Sequence, residues 1–170
     1  MTEAALRAPD HGGLVPFRFA VVQAEDRVPL ADLFEQVARQ TGKTDSEAVR
    51  DRSRALDAPL LVAVIARIDM GHPVAMVHEQ WIALGGALTN FLNAAHALGY
   101  AGKMLSGAKV RAVPVVQAFC EAGESLVGWM VLGTPAHAGQ PKFSKPAADQ
   151  VLRMWQPQPP AKTRPSAPPG

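Results

Sequence analysis

The sequence predicts a layered α/β or α+β domain built on a central sheet, and three stretches carry that prediction. Leu60–Ala66 (LLVAVIA) and residues 126–132 (LVGWMVL) are unbroken apolar runs of strand length, so each strand needs cover on both faces. Residues 81–107 contain no Asp, Glu, Lys or Arg before Lys103. Their apolar positions Trp81, Ile82, Leu84, Leu88, Phe91, Leu92, Ala95 and Leu98 run round a helix instead of keeping to one stripe. Such a helix is expected at the centre of the fold, covered on nearly every side. Helical and extended segments alternate elsewhere, and the stable way to bury them is in layers.

In chain order, residues 2–8 have helical character but room for barely two turns before Pro9, and they read as the end of a helix. Residues 10–13 (DHGG) make a loop, after which Pro16 opens a strand over 17–23, with Phe17, Phe19 and Val21 alternating against Arg18, Ala20 and Val22. Pro29 suits the first turn of a helix to about Gln40, with Leu30, Leu33, Phe34 and Val37 on one face and Gly42 beyond its end. Thr44 and Glu47 have capping-box spacing for a helix to about Leu56. Its Arg50, Asp51, Arg52 and Arg54 predict a mostly solvated surface without functional content. Residues 69–73 are a loop, and His78, Glu79 and Gln80 lead into the central helix. Gly99 is placed to end it in a left-handed conformation, and 102–106 form a short extended run. Lys109 and Arg111 mark a surface turn, and Pro114 opens a short helix through Val115, Val116 and Phe119. A last short helix is expected over 147–155. From Gln156 onward six prolines in fifteen residues predict a disordered or polyproline tail, so the expected organisation is one domain over 1–155 and a tail over 156–170.

Composition excludes several functions. At 170 residues and 48% hydrophobic content, one compact domain with a full-sized core is expected. The net charge of +2 comes from interspersed signs, so neither nucleic acid nor an anionic membrane is required as a partner. Thr89, Asn90, Asn93 and His96 interrupt the long apolar run and would be costly in lipid, which argues against a membrane span. Cys120, the single cysteine, cannot form an internal disulfide and reads as a packing residue, and no secretory leader opens the chain; a cytoplasmic location is expected. The five histidines lack metal-ligand spacing, so no metal site is expected. There is no GxSxG elbow and no GxGxxG fingerprint, and Gly99 to Lys103 lacks the spacing of a phosphate loop. That points to a bound cofactor, or to no catalysis at all.

Taken in order, several segments resemble the nitroreductase family of FMN-dependent α+β homodimers. They are ALRAPDHG at 5–12 with PFRF at 16–19, APL at 58–60, Glu79-Gln80, Asn90 with AAHALG at 94–99, Ser106-Gly107, and Val127-Gly128 with LGTP at 132–135. The set spans residues 4–155 and is most similar to the small, compact members. The chain opens after the family's first helix, whose Arg-Arg-Ser pattern grips the FMN phosphate, which implies a start internal to a longer gene product. Val15 stands where many members have glutamine, and Met104-Leu105 where many have Trp-Arg.

The resemblance implies a three-layer α+β fold whose central, mainly antiparallel sheet is flanked by helices, with a long buried central helix. It implies an enzyme in which NADH or NADPH reduces FMN and leaves before a nitroaromatic or quinone is reduced, giving ping-pong kinetics. Arg7 and His11 become flavin contacts from the loop, and Met104, Leu105 and Ser106 the segment beside the cofactor; no side chain is catalytic, because the flavin carries the chemistry. The residue types are compatible. Arg7 could pair with a phosphate or hydrogen-bond a flavin carbonyl, Ser106 could satisfy polar atoms on the ring edge, and Phe17, Met104 and Leu105 could wall a cleft for a flat aromatic oxidant. A homodimer is implied, its central helices approaching closely through Gly85, Gly86, Ala87 and Ala94, with His78 and Glu79 at a subunit contact. Thr89, Asn93 and His96 read as a polar seam at a helix interface. The alternative of another class is a non-catalytic dimeric binding protein that kept the fold and lost the flavin.

Overall fold

Four strands form one antiparallel sheet in the order β1-β2-β4-β3 in a computed structural model that describes residues 1–137 and 144–157. The strands are β1 (Phe17–Val22), β2 (Leu60–Ala66), β3 (Ala101–Leu105) and β4 (Ser125–Gly133). β2 and β4 are central, which is why their sequences are apolar without alternation. Val62, Val64 and Ala66 face one core cluster, whereas Leu61, Ala63 and Ile65 face another. A bulge between Val64 and Ile65 shifts the β2–β4 register.

The helices are α1 (Thr2–Ala5), α2 (Arg27–Gln40), α3 (Asp45–Ser53), α4 (Val77–Ala97), α5 (Val113–Phe119) and α6 (Ala148–Val151). α1 and α4 cover one sheet face, where Leu84, Ala87, Phe91 and Ala95 pack on Phe17, Val62 and Met130. α2 and α5 cover the other, with Leu30, Phe34, Val37 and Val115 against Leu61, Ile65 and Trp129. The fold is thus the expected three-layer α+β arrangement. α3 begins with the expected capping box, in which Glu47 N–H donates to Thr44 Oγ1 and Glu47 Oε2 accepts from Thr44 N–H. Contacts divide the chain into Met1–His137 and Ala138–Gly170.

Four expectations need correction. First, α4 is not covered on every side: Trp81 is 42% and Ile82 63% exposed, and a Cβ at Gly85 would meet nothing within 4 Å. The sheet and α1 take two faces of this helix and leave the third open. Second, Gly86 and Ala87 point inward, not along that open face. A Cβ on Gly86 would lie 3.2 Å from that of Ala8, so this glycine admits α1, and Ala87 is fully buried. Third, the α3 face is not simply solvated, because Asp51 is buried and Lys109 closes over it. Fourth, α6 is one turn instead of the expected 147–155; Leu152 and Trp155 beyond it are exposed, and a helix without packing is marginal at this length. The expected tail falls mostly on residues 158–170, outside those described.

Among the described residues no helix is long and apolar enough to cross a membrane, and no group of three His, Cys, Asp or Glu could hold a metal ion. Cys120 packs against the α2–α5 cluster, where burial and then the charge of Glu124 push its thiol up.

Candidate functional site

β3 carries the segment expected beside a cofactor, and strand alternation divides it between the two sheet faces. Lys103 and Leu105 face the α2 side. Met104 packs instead into the α1–α4 cluster, with its Cε lying 2.7 Å from where a Cβ on Gly128 would stand. Gly128 has no room for a side chain because the Leu105 carbonyl oxygen fills the same space. This close approach holds the end of β3 against β4 and fixes where Ser106 leaves the sheet.

Leu105 and Ser106 line a cleft of about 520 Å³ between the sheet and the α3–β2 connection, within the usual size of small-molecule and cofactor sites. Phe34, Leu61, Trp129 and Val131 make its apolar part, and Arg54, Asp57, Lys103 and Lys109 bring charge to it. Trp129 is held by two aromatic edges, Phe34 at 5.1 Å and Phe119 at 5.9 Å between ring centroids. Its indole Nε1 is buried and donates to nothing among the described residues. A buried N–H without an acceptor is costly, and this one belongs to a residue that lines the cleft.

The cations are organised by one carboxylate. Asp51 accepts from Lys43 Nζ at 2.5 Å and from Arg54 Nη1 at 2.5 Å, and Lys109 Nζ lies 3.4 Å away. Burial works to raise the Asp51 carboxyl, but the Lys43 hydrogen bond and the charges of Lys109, Lys43 and Arg54 outweigh it and leave it below its ordinary value. For Lys109 the balance goes the other way: burial lowers its pKa more than Asp51 restores it. Three cations share one buried carboxylate, so the site carries surplus positive charge suited to an anionic or oxygen-rich ligand.

The wall of the cleft is itself tied down. Arg27, buried in the first turn of α2, donates from Nε to the Ala55 carbonyl at 2.5 Å and from Nη2 to that of Ala58 at 2.6 Å. These bonds hold the segment that carries Arg54, Asp57 and Ala58.

Arg7 and His11 lie elsewhere. His11 Nδ1 is 3.2 Å from Glu79 Oε1 at the start of α4, while Glu79 Oε2 accepts from Met76 N–H; that backbone bond and the His11 contact hold the Glu79 carboxyl below its ordinary value. Glu79 thus caps its own helix. Leu105, Trp129, Ala63 and Ala20 stand abreast across the sheet, so β1 is about 14 Å from Leu105 at three strand spacings. Phe17, into which the Arg7–His11 loop leads, is three residues further along and so roughly 17 Å from Leu105. α4 lies over the sheet between them, with the Phe91 ring tilted against Phe19 at 5.1 Å between centroids and Leu92 against Gly102. One chain brings Leu105 and Ser106 together with Arg54, Lys109 and Trp129, but it does not bring Arg7 and His11 to them. Thr89, in the expected polar seam, is exposed and donates from Oγ1 to the Gly85 carbonyl of its own helix. Sequence reasoning missed Arg54, Lys109 and Trp129, because their convergence depends on pairings across more than fifty residues.

Comparison with known proteins agrees with this architecture. The sequence model of the nitroreductase family matches residues 1–134. Over 133 residues, 78% of this chain and 72% of the relative, the chain is 35% identical to "Putative NAD(P)H nitroreductase YdjA" of Escherichia coli. Among solved structures, the nitroreductase-like family protein from Bacillus cereus matches with a TM-score of 0.72 at 19% identity, covering 91% of this chain and 81% of that one. A mutant of the FMN and NADPH-dependent nitroreductase NfnB from a Sphigopyxis strain matches with a TM-score of 0.67 at 17% identity, covering 91% and 85%.

Proposed function

Because the chain belongs to the nitroreductase family of oxidoreductases, we propose that it is an FMN-dependent NAD(P)H oxidoreductase whose flavin occupies the cleft beside Leu105 and Ser106. The observation that carries this reading is the cleft itself. A cavity of about 520 Å³ joins apolar walls to a surplus of cations, and a flavin mononucleotide is planar, rich in acceptor oxygens and anionic at one end.

The residues present fit such a group. Leu105, Val131 and the Trp129 side chain would bound the ring, Ser106 would donate to an acceptor on its edge, and Arg54, Lys103 and Lys109 would neutralise oxygens or phosphate. The bound flavin would supply the redox chemistry, taking reducing equivalents from NADH or NADPH and passing them to a small flat oxidant such as a nitroaromatic or quinone. The protein's own work is to bind, orient and exclude water: the Arg27 clamp and the Gly128 contact fix the two walls, and Asp51 keeps the cations in place.

A homodimer completes the proposal. The open face of α4, with Trp81, Ile82 and Gly85, would pack on its two-fold mate, an isologous contact of the common kind. The separation of Arg7 and His11 from the cleft of their own chain supports a site shared between protomers, in which that loop adjoins the partner's cleft. The location proposed is the cytoplasm.

The test is a titration with FMN followed by fluorescence quenching, then steady-state assays with NADH or NADPH against nitroaromatics and quinones. Tight FMN binding with parallel double-reciprocal plots is the expected result. FMN binding with no turnover against any acceptor would leave a flavoprotein and remove the reductase. A protein that stays colourless with excess FMN would favour the non-catalytic binding module.

A further inference from the structure

We propose that Lys109 anchors the bound flavin from inside the cleft by donating to one of its oxygens, and that Asp51 is the positioning residue that holds Lys109 there. The inference rests on the flavin reading above and assigns a residue role that the sequence did not suggest.

Lys109 is a turn lysine by sequence, yet only 15% of its side chain is exposed. Its ammonium lies 4.0 Å over the Phe34 ring and 3.4 Å from Asp51 Oδ1. An ammonium has three N–H donors and no acceptor. The ring face and the carboxylate account for two directions at most, and the carboxylate is already engaged at 2.5 Å by both Lys43 and Arg54. Its hold on Lys109 is correspondingly long. What remains is a largely desolvated cation with unused donor capacity in the wall of a cleft.

Arg54 and Lys103 line the same cleft as Lys109. Several cations in one cleft wall suit oxygens brought from outside the chain. Leu105 brings no donor to the cleft, whereas Lys109, four residues later, brings a cation to it. Asp51 touches the ligand only through Lys109 and Arg54. Without its negative charge, Lys43, Arg54 and Lys109 would repel one another, and Lys109 would swing out to water.

The oxygen could belong to the flavin ring or to its phosphate, and two ligands separate these. The full chain, the Lys109→Met variant and the Lys109→Arg variant are titrated with FMN and with riboflavin, with fluorescence quenching as the readout and thermal midpoints as the control. Methionine keeps the apolar stem over Phe34 and removes only the charge. One charge-assisted hydrogen bond corresponds to a loss of about 10- to 100-fold in affinity. A loss of that size for both ligands, restored in part by arginine at an unchanged thermal midpoint, assigns Lys109 to the ring; a loss for FMN alone assigns it to the phosphate. Asp51→Asn should weaken binding in the parent and cost less in the Lys109→Met background, because part of its effect runs through the lysine and the rest through Arg54. If the parent binds FMN and Lys109→Met binds it equally well, this inference is overturned and the flavin reading stands. Additive losses in the double variant overturn the positioning role of Asp51. If the parent binds neither flavin, both readings fail together.

Discussion

Glu124→Gln is expected to remove about 3 kcal/mol of stability at neutral pH and almost none in acid. Arg18 donates from Nε to Glu124 Oε1 at 2.7 Å and from Nη2 to Oε2 at 2.5 Å, a bidentate pair, and Nη2 also reaches the Phe119 carbonyl. The pair ties β1 to the turn before β4, and Glu124 is nearly buried. The Arg18 hydrogen bond chiefly, against burial and with help from the Glu121 backbone, lowers the Glu124 carboxyl from 4.5 to about 2. A carboxylate that titrates lower when folded stabilises the fold above its unfolded pKa, and that contribution disappears as pH falls through the folded value. From 4.5 to about 2, at 1.36 kcal/mol for each tenfold change, the contribution is about 3 kcal/mol. Urea denaturation of parent and variant at pH 7, 4 and 3 reads it directly. The gap between them should be about 3 kcal/mol at pH 7, shrink below pH 4.5 and be roughly halved by pH 3. A gap of constant size from pH 7 to 3 would refute the linkage and leave only a neutral packing loss. Arg67, 3.7 Å from Glu124 and largely exposed, should matter little, so Arg67→Ala is the control.

Three further outcomes are expected. Arg7→Ala should weaken FMN binding while leaving the circular dichroism spectrum and thermal midpoint unchanged; equal affinity in a fluorescence titration would exclude Arg7 from the site. Ile82→Glu places a charge on the open face of α4 and should turn a dimer into a folded monomer in equilibrium sedimentation, whereas an undisturbed dimer would put the interface elsewhere. Gly128→Ala should destabilise the fold by about 2 kcal/mol or more and loosen FMN binding, because its Cβ would displace the Leu105 carbonyl and Met104. A variant with parental midpoint and affinity would show that the end of β3 can move freely.

Elements whose signals are local can be read directly from the chain. The apolar runs of β2 and β4 declare strands covered twice, Thr44 and Glu47 cap α3, Gly99 ends α4 at φ 85°, and the ordered motifs from ALRAPDHG to LGTP identify the family. Each depends on residues a few positions apart, where spacing fixes which groups can meet. Tertiary structure decided which charges are buried and which faces stay open. Lys109 reads as a surface lysine until α3 brings Asp51, fifty-eight positions earlier, against it and Phe34 comes beneath its ammonium. Arg54 stays half exposed, as its sequence context suggests, but only the Arg27 clamp makes its segment the wall of a cleft. Met104 and Leu105 are neighbours in the chain, yet a sheet sends successive side chains to opposite faces, so only Leu105 reaches that cleft. Desolvation of a charge depends on everything packed around it, and that neighbourhood exists only once strands far apart in sequence have paired.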